Sequence, residues 1–263
     1  MRPGGQNPQR EDCTRAMTEV RDLRNLSRGI FESCGELTEL LQSKTVVGKT
    51  GRIFGDASSL STVNNISTIH KLLWKYRPER TLEVGFCFGG SALLFCSTHK
   101  ELGRSPQSQH IAIDPYQTRT WDSCGLMAIE RAGLKGYLDF REAFSALELP
   151  KLFESGARFG LVYIDGSHLF EDVLVDSYFA ARLLMEGGIV LFDDSSNAHV
   201  RKVVRFLRAN HRETLTELDL SPFRVKLDRI TYRVARYFEK VQLTAFRRVG
   251  NVERNWDAPF GSF

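Results

Sequence analysis

Residues 80–95, RTLEVGFCFGGSALLF, decide the fold of this chain. An apolar run containing Leu82 and Val84 leads into a glycine-rich segment, and a second apolar run begins after Ser91. This order predicts a strand, a tight loop and a helix, which is the repeating unit of a doubly wound α/β sheet.

The spacing of the glycines indicates which ligand the loop can hold. A dinucleotide fold needs GxGxxG so that backbone N–H groups can close on a pyrophosphate. Here the spacing is Gly85-x-x-x-Gly89-Gly90, and the carboxylate of Glu83 would repel a pyrophosphate. That carboxylate can instead accept hydrogen bonds from an ammonium or a hydroxyl group. The loop therefore favours an adenosine-like ligand without phosphates.

Further acidic residues stand where later strands are expected to end. Asp114 follows the apolar run HIAI, and a carboxylate at the end of a second strand can bind both ribose hydroxyls of a nucleoside. Ser145 opens the helix after the third strand, where it is either a ligand contact or a plain N-cap. Asp165 ends the run FGLVYI, which is predicted to be the central strand.

The predicted fifth strand, IVLF, is followed by two adjacent carboxylates, Asp193 and Asp194. Together with Asp165 they should converge at one edge of the sheet, where their repulsion would raise at least one pKa. A divalent cation removes this conflict, and such oxygen ligands suit Mg²⁺. The competing interpretation is that one of the pair caps the following helix.

The motif E-x-G-x-x-x-G-x-S, formed by Glu83, Gly85, Gly89 and Ser91, resembles the first motif of class I S-adenosylmethionine-dependent O-methyltransferases. It is shared by the metal-dependent catechol-type and the macrocin-like antibiotic-sugar enzymes, and the resemblance covers about residues 81–194. It implies a doubly wound, Rossmann-like seven-stranded sheet, mostly parallel with an antiparallel last strand and helices on both faces. It also implies the cofactors S-adenosyl-L-methionine and Mg²⁺.

The resemblance assigns roles to individual residues. Its cofactor-binding positions are Glu83, Gly85, Phe86, Gly89, Ser91, Asp114, Ser145 and Asp165, and its metal ligands are Asp165, Asp193 and Asp194. His168 stands where the catechol-type enzymes carry a general-base lysine. Histidine titrates near neutrality and can do the same work, but it can equally be a helix N-terminal residue or a substrate donor. His199 is a weaker candidate.

Composition limits the remaining function classes. The chain has 263 residues and a net charge of +4, which by itself does not argue for nucleic acid as a partner. No apolar run is long enough for a membrane span, and no apolar signal segment is visible. The five cysteines lack metal-ligand spacing and are typical of reduced thiols. We therefore expect a cytoplasmic enzyme without a zinc site, with a small-molecule acceptor as its partner and a homodimer as one option.

The chain divides into three predicted segments. Residues 1–10 are expected to be a disordered tail, residues 11–57 a helical extension and loop, and residues 58–263 the methyltransferase domain with a basic insert at about 221–240. Within the domain we expect a helix capped by Ser58-Ser59 and one over 121–133. A third helix is expected to end at Gly187-Gly188, and the final antiparallel pair is expected at 213–220 and 241–248.

The sequence thus predicts a Mg²⁺-assisted O-methyltransferase acting on a small hydroxyl-bearing molecule, such as a sugar or a phenolic metabolite. Three alternatives stay open: a metal-independent methyltransferase, a methyltransferase directed at nitrogen, and a non-catalytic nucleoside-binding protein of the same fold.

Overall fold

A computed structural model of the chain describes residues 33–55, 60–224 and 226–263. The predicted tail at 1–10, most of the N-terminal helical segment and Ser58-Ser59 lie outside these residues. The described helices are α1 (Gly35–Ser43), α2 (Val63–Tyr76), α3 (Gly90–Glu101), α4 (Cys124–Arg131), α5 (Ser145–Glu154), α6 (Phe170–Leu183), α7 (Ala198–Asn210) and α8 (Lys226–Tyr237). The strands are β1 (Val46–Val47), β2 (Ile53–Phe54), β3 (Thr81–Val84), β4 (His110–Ile113), β5 (Leu138–Arg141), β6 (Phe159–Ile164), β7 (Leu184–Phe192), β8 (Leu215–Glu217) and β9 (Thr244–Arg248).

Seven strands form one sheet in the order β5-β4-β3-β6-β7-β9-β8. The strands from β3 to β7 are parallel, whereas β9 runs antiparallel to both β7 and β8. The predicted fold class is therefore confirmed, including the antiparallel last strand. Since β3 lies beside β4 on one side and β6 on the other, the chain reverses its winding direction at β3, and such a switch point opens a crevice at the carboxyl ends of the strands.

Apolar helices cover both faces of this sheet. One core packs α1 to α4 against alternate sheet residues such as Ala112, Tyr163 and Leu191. The other packs α5 to α7 against the opposite set, which includes Val162 and Phe192. This alternation fixes the face on which each strand-end side chain leaves the sheet.

Several predicted element boundaries are corrected. The helix α6 ends at Leu183, and Gly187-Gly188 lie inside the long strand β7 rather than at the end of the helix. The helix α2 begins at Val63 and is capped by the Thr62 side chain. Part of the loop predicted within residues 11–57 forms a short antiparallel hairpin of β1 and β2.

The basic insert forms the helix α8. Tyr232 packs into the core, while Ile230 and Tyr237 are exposed. Arg236 pairs with Glu217 and Asp219. One face is therefore packed and the other solvated. In the described part of the chain, no helix has both the length and the apolar character needed to cross a bilayer.

Candidate active site

A cavity of about 540 Å³ opens at the carboxyl ends of β3, β4 and β6, a volume typical of small-molecule sites. It is lined by eight of the residues singled out in the sequence, namely Gly85, Phe86, Ser91, Asp114, Ser145, Asp165, His168 and Asp194. Exposed aromatic side chains, those of Tyr116 and Phe144, also line it and contact each other edge to face.

Gly85 joins two parts of the site. It has a φ of +93°, and a Cβ added there would lie 2.1 Å from the carbonyl oxygen of Asp165. Only glycine lets the loop after β3 pass this close to the end of β6. Gly89 is also left-handed, at the N-cap of α3, but it does not line the cavity. Its role is therefore to form the turn.

Asp114 holds the glycine loop in place. One of its carboxylate oxygens accepts hydrogen bonds from the backbone N–H groups of Phe86 (3.0 Å) and Cys87 (2.9 Å), and the other accepts from Tyr116 at 2.7 Å. A carboxylate offers about four acceptor positions. Three are thus occupied by protein, which leaves Asp114 able to accept from one ribose hydroxyl rather than both.

Asp165, His168 and Asp194 converge beside this loop. One ligand atom from each of the three lies within 4.8 Å of the others. His168 Nε2 is 3.0 Å from Asp194 Oδ2, and both side chains are partly exposed. Burial, followed by the charges of Asp193 and Asp194, raises the pKa of Asp165 well above its usual value. The site therefore concentrates negative charge that a cation would neutralise.

Asp193 does not join this cluster, so the structure brings together only two of the three predicted metal ligands, Asp165 and Asp194. Its Oδ2 lies 2.5 Å from both Ser61 Oγ and Tyr163 OH, and its Oδ1 accepts from Asn65 Nδ2 (3.1 Å) and the Asp194 N–H (2.9 Å). The side chain is buried and does not line the cavity. Its oxygens are used in anchoring the start of α2 to the sheet, so His168 takes its place beside the other two carboxylates.

The turn after β7 separates the two neighbouring carboxylates. Asp194 has a φ of +48°, a left-handed conformation that asparagine and aspartate tolerate better than most residues. Its Oδ1 accepts a hydrogen bond from Gln242 at 3.3 Å. The cap of α7 is Asn197, so the interpretation that Asp193 or Asp194 caps this helix is wrong.

Glu83 is also displaced from its expected position. It is completely buried and lies 3.3 Å from His110 Nε2, and it does not line the cavity. His110 in turn contacts the Thr81 hydroxyl, which also contacts His99. Glu83 therefore lies in a buried cluster of polar side chains and does not reach the surface of the cavity.

Two other expectations concern helix starts. Ser145 is the first residue of α5 and lines the cavity, while Phe144 occupies the N-cap position without a side-chain hydrogen bond. The plain N-cap interpretation of Ser145 is thus wrong. His199 Nδ1 accepts the backbone N–H of Phe170 at the start of α6, and His199 does not line the cavity.

Ser61 and Tyr163 also contact the site residues and were not among the predicted residues. The Tyr163 hydroxyl lies between Asp165 Oδ2 (3.1 Å) and Asp193 Oδ2, and burial raises its pKa well above the usual value. A signal for Tyr163 was available, because a tyrosine two residues before a strand-end aspartate shares its face of the sheet. No local pattern marks Ser61, which reaches the site from the loop before α2.

The three facing groups suit a divalent cation. Asp165 and Asp194 supply oxygen donors and His168 an imidazole nitrogen. An all-oxygen set is typical of Mg²⁺, whereas an imidazole donor is also suited to Mn²⁺, Fe²⁺ or Zn²⁺. The donor set therefore fits a cation and widens the choice beyond the predicted magnesium.

The fold and the position of this strand-end site are typical of class I methyltransferase domains, the class that the sequence motif predicted. Residues 82–195 match the model of a family described as a methyltransferase domain. These residues span the structure from β3 to the turn after β7, so the match covers the elements that build the cavity. No significant match to the chain was found among curated proteins.

Solved structures share the fold at low sequence identity. The O-methyltransferase TomG from Streptomyces achromogenes, involved in tomaymycin synthesis and solved with SAM, is 15% identical with a TM-score of 0.59, covering 89% of this chain and 96% of TomG. An O-methyltransferase from Bacillus cereus, solved with SAH, is 16% identical with a TM-score of 0.56, covering 82% of this chain and 91% of its own. Cofactor-bound Rv0187 from MTB is 17% identical with a TM-score of 0.51, and the match covers 60% of this chain and 73% of Rv0187.

Proposed function

We propose that this protein transfers a methyl group from S-adenosylmethionine to a hydroxyl oxygen of a small molecule, a sugar or a phenolic compound, with the help of a divalent cation. The observation that carries the proposal is the convergence of Asp165, His168 and Asp194 within the cavity that the glycine loop borders. The methyltransferase-domain match over residues 82–195 supports the donor.

The order of the strands supports one orientation of the donor. Ser145, Asp114, Gly85, Asp165 and Asp194 follow β5, β4, β3, β6 and β7, which is also the order of these strands across the sheet. Adjacent strands lie about 4.8 Å apart, so these positions span roughly 19 Å. We place adenine near Ser145, ribose near Asp114 and the sulfonium near Gly85 and Asp165. The acceptor then lies at the ends of β6 and β7.

The residues at the ends of β6 and β7 would have different roles in the reaction. S-adenosylmethionine supplies a methyl group on a positively charged sulfonium, and a divalent cation acts as a Lewis acid that lowers the pKa of a hydroxyl. Asp165 and Asp194 would hold the cation and thereby orient the acceptor. His168 would receive the proton of the acceptor hydroxyl, whose oxygen forms a bond to the methyl carbon as the carbon–sulfur bond breaks.

One observation favours a second candidate, a cation-independent methyltransferase. The contact of 3.0 Å between His168 Nε2 and Asp194 Oδ2 is that of a carboxylate orienting an imidazole. In that arrangement Nδ1 of His168 would be left to accept the proton. If Nε2 instead binds the cation, the same atom cannot act as the base.

Release of S-adenosylhomocysteine tests both candidates. Labelled S-adenosylmethionine is offered with a panel of sugars and catechols, in EDTA and after readdition of Mg²⁺ or Mn²⁺. The main proposal expects turnover that EDTA abolishes and a cation restores, and that Asp165→Asn removes. Turnover that persists in EDTA and disappears in His168→Ala supports the second candidate.

Calorimetry with S-adenosylhomocysteine tests the cofactor independently of any acceptor. We expect one site per chain and weaker binding in Asp114→Ala, because this change frees the glycine loop as well as removing a ribose acceptor. Asp139→Ala is the matched control, since Asp139 lies at the neighbouring strand, pairs with Arg141 and does not line the cavity. Tight NADH binding without S-adenosylhomocysteine binding contradicts the proposal. Binding of S-adenosylhomocysteine without turnover on any acceptor would indicate a nucleoside-binding protein.

A further inference from the structure

A second cavity lies on the far side of α6, between this helix, α7 and the C-terminal segment. Its volume is about 360 Å³, and it shares no lining residue with the cavity at the strand ends. Leu174 and Ala181 of α6, Leu207 of α7 and Val252 give it an apolar lining. A pocket of this size with an apolar lining is typical of small-molecule sites.

The polar side chains that line this cavity carry cationic or neutral groups, and two of them, Ser177 and Tyr178, carry hydroxyls. Arg182, His211 and Arg254 line it, and none of its lining residues is an aspartate or a glutamate. Burial, and then the charges of Arg254 and Arg182, lower the pKa of His211. The positive charges of the two guanidinium groups are therefore close enough to affect the imidazole in the same cavity.

Neither arginine forms an ion pair with any residue that the structure describes. Arg182 donates to the Tyr178 carbonyl at 3.1 Å and stacks 3.5 Å from the centroid of the Tyr178 ring. Arg254 donates to the Pro259 carbonyl at 2.8 Å. By contrast, Arg208, on the same helix α7 as Leu207, is paired with Glu217 and Glu239. Each guanidinium has five N–H donors, so both arginines keep donors for a ligand.

Aromatic rings complete the cavity. Phe206 lies edge to face with the His211 ring at 5.5 Å, and Tyr178 lies under Arg182. Flat apolar groups pack well against such rings. We propose that this cavity binds a small organic anion, a carboxylate or phosphate attached to a flat apolar body, with Arg182 and Arg254 on the anionic group. The site is separate from the proposed methyl transfer and does not depend on it.

The test uses 2-naphthoate as the probe, titrated calorimetrically with and without saturating S-adenosylhomocysteine. We expect one site whose affinity is unchanged by S-adenosylhomocysteine. The neutral 2-naphthamide should bind at least about tenfold more weakly, because charge-assisted hydrogen bonds are lost. Comparing 2-naphthyl phosphate with 2-naphthoate decides between the two anionic groups.

Variants locate the binding. Arg182→Gln combined with Arg254→Gln should weaken 2-naphthoate by about tenfold or more, whereas the double change to lysine should retain part of the affinity. Arg158→Gln is the matched control, because Arg158 also lies over an aromatic ring, that of Phe153, outside this cavity. The inference is overturned if 2-naphthoate does not bind, if the amide binds equally well, or if the glutamine pair binds like the unmodified protein.

Discussion

Replacing Asp193 by asparagine separates an anchoring role from a metal-binding role more sharply than any other change at this site. The carboxylate is buried among Ser61, Asn65, Tyr163 and the Asp194 N–H. An asparagine oxygen can still accept from Asn65 and the backbone. Its NH₂ group must then replace Oδ2, which lies 2.5 Å from two hydroxyl oxygens.

The magnitude follows from these contacts. Each hydrogen bond to a charged group is worth about 1.5–3 kcal/mol, and an N–H···O contact prefers about 2.9 Å, so the neighbours must also move. Removing a buried charge offsets part of the loss, since burial raises the pKa of Asp193. We therefore expect Asp193→Asn to lower the free energy of unfolding by about 2–4 kcal/mol.

Asp194→Asn is the matched control. Asp194 is about one third exposed, and its contacts are a 3.3 Å hydrogen bond from Gln242 and the pairing with His168. Partly exposed pairs are worth about 1 kcal/mol or less. This variant should therefore keep the stability within about 1 kcal/mol, and it should lose cation binding.

Urea denaturation in EDTA measures the stabilities, and Mn²⁺ titration followed by electron paramagnetic resonance measures the binding. Equal m-values for the variants would show that both transitions expose the same surface. The opposite result, in which Asp193→Asn unfolds like the unmodified protein and loses Mn²⁺ while Asp194→Asn retains it, would assign metal binding to Asp193 and refute the anchoring role.

Three further predictions concern backbone fit and pH. Gly85→Ala should weaken S-adenosylhomocysteine binding markedly in calorimetry, because its Cβ would overlap the Asp165 carbonyl. Gly133→Ala is the control, since Gly133 also has a positive φ but has open space around it. This change should cost only about 1–2 kcal/mol of stability and leave binding unchanged. Burial raises the pKa of Asp176 from 3.8 to about 6, so the proton bound on folding stabilises the native state below pH 3.8, and this contribution is lost as pH rises through 6. In urea denaturation, the free energy of unfolding of Asp176→Asn should therefore rise by up to about 3 kcal/mol relative to that of the unmodified protein between pH 4 and pH 8. A difference between the two proteins that does not change with pH would contradict this. Burial lowers the pKa of His99 from 6.5 to about 3, so the stability that the neutral imidazole contributes above pH 6.5 is lost on acidification. Between pH 7.5 and pH 5, the free energy of unfolding of His99→Gln should fall by about 2 kcal/mol less than that of the unmodified protein. Equal losses in the two proteins would exclude His99 as the cause.

The fold could be predicted from the sequence because four of the five parallel strands end in a short apolar run that is followed by a glycine or a carboxylate. The ends of β3, β4, β6 and β7 are marked in this way, and parallel strands bring such ends to one edge. The boundary between α6 and β7 could not be predicted, since Gly187-Gly188 is a helix-end signal in isolation. Pairing of β7 with β6 and β9 overrides that local preference.

The site was only partly predictable, because neighbouring carboxylates differ by face and by turn geometry. Asp193 shares its face of the sheet with Tyr163 and points toward α2. The left-handed turn at Asp194 directs its side chain to the cavity instead. Glu83 occupies the face opposite that of Val84 and meets His110, a contact between residues 27 positions apart. The directions of these side chains depend on tertiary packing, which a local sequence motif does not indicate.

A crystal of the protein with S-adenosylhomocysteine and Mn²⁺, measured at the manganese absorption edge, tests the central claim most directly. We predict the nucleoside along the ends of β5, β4 and β3, and one anomalous peak within bonding distance of Asp165 and Asp194, with the His168 imidazole beside it. A manganese peak bound through Asp193, or S-adenosylhomocysteine bound outside this cavity, would contradict it.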